Sequence, residues 1–299
     1  MARSIDTERI YAAFTDEDSQ LFAELESRRV SSHWNAMVRS PQAVTMKLRR
    51  CAYVFDQLNV ASGSILDLGS GMGFLSGYMA SRGADVVGVE LVPQLRATAE
   101  YVAAQLFRTT RARFVASTNE LERDSFDAVV MCNVVSHLDN LNRVLIDTAA
   151  LVKPGGRLFV EDNNNRQSVL HRRAHRRQWL ADDVGAARRR AAIDPGRENL
   201  SYGLSVEEIE RWRGRDLGPL QRLREFAPYD LRNGMYHENW FTARELELLL
   251  FHSGFAPLEH RSKHVFDYRP HRLAAVVFRR VPRLSLYVAP AFELTAVRV

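Results

Sequence analysis

Apolar positions change rhythm along the chain. In the first sixty residues they recur every three or four places, in "TDEDSQLFAELESRR" and "PQAVTMKLRRCAYVFDQL", which predicts helices. From Ser64 the pattern turns to short apolar runs, "SILDL", "ADVVGVE", "ARFVAS", "FDAVVMC" and "GRLFVE", suited to strands buried on both faces. Helical stretches lie between most of them: "FLSGYMASR", "PQLRATAEYVAAQLF" with Pro93 near its start, and "LNRVLIDTAALV" closed by "KPGG". The crossover "TNELERD" is short enough to be only a turn. Strands alternating with helices predict a parallel sheet with right-handed crossovers. After Glu161 the rhythm is lost until "FTARELELLLFHSGF", where Thr242 and Glu245 have capping-box spacing and Gly254 can end the helix. "FAPLEHRS" and "AFELTAV" then read as the last two strands. The expected organisation is an N-terminal helical cover (1–60), a Rossmann-like core (61–165), an arginine-rich helical insert over the substrate (166–241), and a C-terminal helix with two strands completing the core (242–299).

Composition adds bounds to this picture. No apolar run is long enough to span a bilayer, and the acid-bearing start lacks the apolar segment of a secretory signal. Cys51 and Cys132 are the only cysteines, so a disulfide framework is not expected and a reducing, cytoplasmic setting is. The formal charge of +5 is mild but uneven. Between Arg166 and Arg190 eight arginines face only Asp182 and Asp183, a local surplus of +6. That run is either a solvated helix face or a lid attracting an anionic substrate.

The densest chemistry lies in "SILDLGSGMGFLSGYMASRGADVVGVE", residues 64–90. A strand ending in Asp-x-Gly-x-Gly-x-Gly and entering a helix makes a tight turn at the carboxyl edge of a sheet, where bare backbone admits a ligand. Glu90, twenty-three positions after Asp67, ends the next strand, where an acid can accept hydrogen bonds from ribose hydroxyls. The spacing is GxGxG, not the GxGxxG of dinucleotide sites. A carboxylate at Asp67 would repel a pyrophosphate but suit an ammonium group.

"ILDLGSGMG", "VVGVEL", "FDAVVMCNVVSHL" and "LVKPGGRLFVED" resemble, in order and spacing, the motif series of class I S-adenosylmethionine-dependent methyltransferases over roughly residues 60–165. The resemblance implies a doubly wound, seven-stranded, mostly parallel sheet whose last strand is antiparallel, and S-adenosyl-L-methionine as cofactor. It implies that Asp67, Gly69, Ser70, Gly71 and Gly73 line the methionine moiety, that Glu90 binds the ribose, that Leu91 next to it is a further cofactor-binding position, and that Asn133 sits beside the cofactor. Many family members hold the adenine amine with an acid after the third strand. Here "FVASTNELE" offers Ser117 or Asn119 instead.

The cofactor brings its own electrophile, so the chain must place a nucleophile and, where needed, take its proton. His137, just past the fourth strand, is a candidate base or a residue on the cofactor's rim. His237 is the second candidate base. Tyr236 and Glu238 beside it suit a pocket wall or an aromatic-packed turn. Asn163 and Asn164 follow strand five and should face the same cleft, and Arg172 and Arg176 represent the basic run. The pairs His171/His175 and His260/His264 have the i,i+4 spacing that on a helix can hold zinc, but neither has a third ligand, so no metal is expected. The segment 270–290 can rest on a membrane surface or a lipid tail, or pack on the sheet flank. The expected reaction is O-methylation of a small biosynthetic intermediate, anionic, sugar-like or lipid-linked. The alternatives are an RNA methyltransferase using the arginine run, although no base-flipping or RNA-binding signature accompanies it, and a catalytically silent binding fold.

Overall fold

A computed structural model describes residues 5, 7–15, 40–60, 62–138, 141–162, 225–227, 238–240, 243–263 and 291–299. It opens with α1 (Thr7–Thr15) and α2 (Pro41–Leu58), within the stretch whose periodicity predicts helices. Local chemistry sets both ends of α2. The Ser40 hydroxyl accepts the Ala43 N–H at 3.2 Å and Pro41 occupies the first turn. Asn59 closes the helix in a left-handed conformation, φ 52°, its N–H bonded to the Asp56 carbonyl. The buried stripe of α2 is Val44, Leu48, Cys51, Val54 and Leu58, three or four residues apart as the sequence pattern requires.

The strands and helices then alternate: β1 (Ser64–Leu68), α3 (Phe74–Ser81), β2 (Asp85–Val89), α4 (Pro93–Tyr101), β3 (Ala112–Val115), β4 (Phe126–Cys132), α5 (Leu141–Leu151) and β5 (Val152–Asp162). After them come β6 (Glu225–Ala227), β7 (Glu238–Trp240), α6 (Ala243–His252), β8 (Phe255–Lys263) and β9 (Ala291–Arg298). Seven strands form one sheet in the order β3-β2-β1-β4-β5-β9-β8. The expected seven-stranded, mostly parallel, Rossmann-like architecture is therefore present, with β8 and β9 its antiparallel pair.

The chain divides into two compact units, Met1–Met131 with Ala150–Phe159, and Cys132–Ala149 with Val160–Val299. In the first, β1 pairs in parallel with β2 from Ser64 opposite Asp85 to Leu68 opposite Val89, and also with β4, while β2 pairs with β3. Ile65, Leu66, Ala128, Val129 and Val130 are fully buried, which is why these strands read as unbroken apolar runs. At the amino end of the sheet the Asp127 carboxylate accepts from Ser64 N–H at 2.8 Å, from its hydroxyl at 3.1 Å, and from Lys153 Nζ at 2.6 Å. The lysine is the main reason that this carboxyl is held below its ordinary pKa. In the second unit β8 runs antiparallel to β9, with an irregularity between Pro257 and Glu259, and α6 lies along β8.

Four local features differ from the sequence expectation or add to it. First, α4 passes into one π-helical turn, Val102–Leu106, where Phe107 N–H reaches back five residues to Val102. Apolar periodicity continues through such a turn and does not register it. Second, "KPGG" is not a separate stop between helix and strand, because β5 begins directly at Val152 and includes it. A Cβ on Gly156 would lie 2.5 Å from Val152 Cγ1 and 3.0 Å from the Asp127 carbonyl, so the glycine lets the strand pass close to its neighbours. Third, the region read as a helical insert contains an antiparallel pair, β6 with β7, Glu225 facing Trp240 and Ala227 facing Glu238. Three-residue strands are too short to show a period. Fourth, His260 lies in β8 opposite Leu294, so the helical spacing that would pair it with His264 does not apply.

Candidate active site

The glycine turn lies in the first unit, at the carboxyl end of β1. Gly69, Gly71 and Gly73 all have left-handed backbones, with φ of 78°, 55° and 71°. The turn folds back on the end of β2, where the N–H groups of Gly69 and Ser70 both bond to the Val89 carbonyl, at 2.9 and 3.1 Å. Gly73 then donates to Ser70 and begins α3. The three glycines serve different ends. A Cβ on Gly73 would lie 2.6 Å from Ala99 Cβ and 2.8 Å from Phe114, so this position is bare because α4 and β3 pack against it. A Cβ on Gly71 would meet nothing within 4 Å. The turn at Gly71 opens onto free space, as a ligand cradle must.

Two acids flank the turn in sequence, Asp67 before it and Glu90 after β2. Glu90 Oε2 accepts the Gly71 N–H at 3.0 Å and Oε1 accepts the Val92 N–H at 2.9 Å, so one side chain ties the glycine turn to the start of α4. Burial pushes the Glu90 carboxyl above its ordinary pKa, opposed by the N–H groups of Val92 and Gly71. The other carboxylate, Asp67, is 2% exposed and accepts from Ser76 Oγ at 2.5 Å. Its pKa is pushed up to about 6, chiefly by burial. The Ser76 hydrogen bond opposes that rise, nearby Glu90 adds to it, and the positive charges of Lys47 and Arg50 on α2 oppose it. Leu91, beside Glu90, is 60% exposed, an apolar side chain presented rather than packed. Ser117 is extended, and its hydroxyl accepts from Asn119 N–H at 3.1 Å in the short turn after β3.

Asp67, Gly69, Ser70, Gly71, Gly73, Glu90, Leu91 and Ser117 thus fall within one compact unit, at the carboxyl ends of β1, β2 and β3. The Ser70 hydroxyl oxygen is buried without a hydrogen-bond partner.

The remaining described candidates belong to the second unit. Asn133 follows β4 in a left-handed conformation, φ 54°, with its N–H bonded to the Glu161 carbonyl at 2.7 Å and its Oδ1 buried without a partner. The next turn, Val135–His137, is held by Asp162, which accepts the Ser136 N–H at 3.0 Å. β7, which starts at Glu238, runs beside this turn. The fold therefore brings the turn that carries His137 beside the short strand that starts at Glu238, although the two lie a hundred positions apart in sequence. Asn163, Asn164, Arg172, Arg176, Tyr236 and His237 lie outside the described residues, as do His171, His175 and the segment 270–290. Among the described residues no group of His, Cys, Asp and Glu could hold a metal ion, and no helix is long and apolar enough to cross a membrane.

Sequence reasoning missed Ser76, Lys47 and Arg50. The signal for Ser76 was present, a hydroxyl in the otherwise apolar "FLSGYMA", one helical turn beyond Gly73. Lys47 and Arg50 sit on α2, and no local spacing connects them to Asp67.

A fold of this order, with a glycine turn flanked in sequence by two acids, defines a nucleotide-binding α/β protein of the methyltransferase type. The family model for a methyltransferase domain matches residues 43–260, and the chain belongs to that family. Over 159 residues it is 29% identical to the ubiquinone biosynthesis O-methyltransferase of Xanthomonas oryzae pv. oryzae, a match covering 52% of this chain and 65% of that one. Two solved structures share the fold, both described as S-adenosylmethionine-dependent methyltransferases. The one from Methanosarcina mazei is 19% identical with a TM-score of 0.53, covering 82% of this chain and 97% of its own. The one from Mesorhizobium loti is 17% identical with a TM-score of 0.52, covering 85% and 98%.

Proposed function

We propose that the protein binds S-adenosyl-L-methionine at the glycine turn and methylates an oxygen of a small biosynthetic intermediate. The observation that carries this reading is the free space over Gly71, in a left-handed turn whose N–H is held by the Glu90 carboxylate. Asp67, Glu90 and Leu91 fit the cofactor's chemistry: a carboxylate for its ammonium group, a second acid for ribose hydroxyls, and an exposed leucine for a flat base. When bound, the cofactor supplies a methyl group on a positively charged sulfur. Glu90 holds the turn in shape through Gly71 and Val92, Gly71 leaves room, and Leu91 offers an apolar face.

The choice of oxygen draws on the name of the Xanthomonas relative, of which the match spans 65%. A hydroxyl acceptor must lose its proton as the oxygen attacks, and His137 or His237 is assigned to take it. The arginines near Arg172 and Arg176 suit an anionic or lipid-linked acceptor.

Calorimetry with S-adenosylhomocysteine tests the cofactor half of the reading. Glu90→Ala should weaken binding by about 1.5–3 kcal/mol, the range for hydrogen bonds to a charged group. Unchanged affinity in a folded variant removes Glu90 from the site. Incubating cell extract with methyl-labelled cofactor and separating lipid, RNA and small-molecule fractions tests the acceptor. Label recovered in RNA overturns the small-molecule reading.

A further inference from the structure

We infer that Ser76 is a positioning residue that holds the Asp67 carboxylate ready to meet the cofactor's ammonium group, and that binding at the glycine turn expels the proton from those molecules in which Asp67 is still protonated. The inference rests on the cofactor site proposed above and adds a residue and a proton to it.

The geometry is local. Ser76 is fully buried on the face of α3 turned toward β1, and its hydroxyl donates to Asp67 Oδ2 at 2.5 Å. No other hydrogen bond to that carboxylate is found among the described residues. A buried serine in a helix ordinarily spends its hydroxyl on the carbonyl four residues back. Here that residue is Met72 of the glycine turn, and the hydroxyl goes to the acid instead. A hydrogen bond to an ionised acceptor is short and strong, and it favours the charged form.

The polar and charged groups facing Asp67 come from three places in the fold. α3 contributes only the neutral Ser76, the residue after β2 contributes Glu90, and α2 contributes Lys47 and Arg50. Burial and Glu90 favour the protonated acid, while Ser76 and the two cations favour the carboxylate. Their balance leaves the acid half-protonated at about pH 6. A ligand ammonium placed at the turn adds a third positive charge and tips that balance. In the protonated molecules the reaction is then Asp67 carboxylic acid plus ligand giving Asp67 carboxylate paired with ligand ammonium, with one proton released to solvent.

The test is calorimetry of the full chain with S-adenosylhomocysteine between pH 5 and 8, in buffers of differing ionisation enthalpy so that proton release is counted. Binding should weaken about tenfold from pH 7.5 to pH 5, because about one-tenth of an acid with a pKa near 6 is ionised at pH 5. Ser76→Ala should move the midpoint upward by about one pH unit or more while affinity at pH 8 stays near wild type. Ser76→Cys, a weaker donor of nearly the same size, should move it part of the way and covers the case in which the alanine variant fails to fold. A serine that only packs would change affinity equally at every pH. Such parallel curves overturn the inference, as does binding in the wild type that releases no proton below pH 7. Failure of the wild type to bind at any pH overturns the cofactor reading instead, so the two failures are distinct.

Discussion

Gly71 and Gly73 share a left-handed backbone but differ in what surrounds them, and substitution separates the two roles. Alanine at Gly73 would drive its Cβ into Ala99 and Phe114, so Gly73→Ala should lower stability by roughly 1–3 kcal/mol, the cost of overpacking with added strain. Alanine at Gly71 meets only space and backbone strain, about 1–2 kcal/mol. A larger side chain there, in Gly71→Val, should leave a folded protein that no longer binds S-adenosylhomocysteine. Thermal denaturation and calorimetry on the same variants read both effects, and a Gly71→Val protein with full affinity would exclude ligand from that space. Asp67 shows a different cost. Its folded pKa of about 6 lies above the ordinary 3.8, so the native state binds the extra proton between those values and stability falls as pH rises through that window. Above pH 6 the penalty is constant at about 3 kcal/mol, the free energy of a shift from 3.8 to 6. Asp67→Asn should therefore melt higher than wild type at pH 7, with the advantage shrinking toward pH 4, while losing affinity for the ligand. Equal melting temperatures at pH 7 would show that the burial cost is offset elsewhere.

At the scale of elements, most of what the sequence predicted has a short-range cause. Ser40 and Pro41 start α2, the unbroken apolar runs become strands covered on both faces, and Gly254 with φ 90° ends α6. The positions of Asp67 and Glu90 were legible for the same reason, since each sits at the end of a strand. What was not legible depends on elements far apart in the chain. The π turn at Val102–Leu106 is one case. Arg9 on α1 donates Nη1 to the Gln105 carbonyl at 2.9 Å and Nη2 to the Leu106 carbonyl, satisfying groups that a helix end leaves open. The partners are nearly a hundred residues apart, and an arginine within a surface-like helix gives no sign of that contact. Arg9→Ala should cost about 1–2 kcal/mol, the lower part of the range for charged hydrogen bonds because one contact is exposed. Arg9→Lys should not restore it, because an ammonium lacks the fork that spans two carbonyls. A melting temperature unchanged in Arg9→Ala would make the contact incidental to stability.

For the whole molecule the question is why a chain with a formal charge of only +5 gathers a surplus of +6 between Arg166 and Arg190. The rest of the protein is then close to neutral in sum, so the net charge has its main source in this run. The field of that charge acts on any anion approaching the protein, whereas the cofactor, which carries both a cationic sulfur and an ammonium group, gains little from it. If the run serves the acceptor, removing its charge should slow the acceptor's capture and leave the glycine turn untouched. The variant Arg172→Gln, Arg173→Gln, Arg176→Gln, Arg177→Gln should therefore raise KM for the acceptor severalfold, keep kcat within about twofold, and leave affinity for S-adenosylhomocysteine unchanged. Salt separates this from a loss of specific contacts. Ions shorten the reach of exposed charges to about 8 Å at physiological strength, so kcat/KM of the wild type should fall as salt is added while that of the variant stays flat. Steady-state kinetics from 20 to 300 mM salt would check it. Parallel salt curves for the two proteins would mean that the arginines only keep that surface solvated, and the acceptor would then be recognised by uncharged groups.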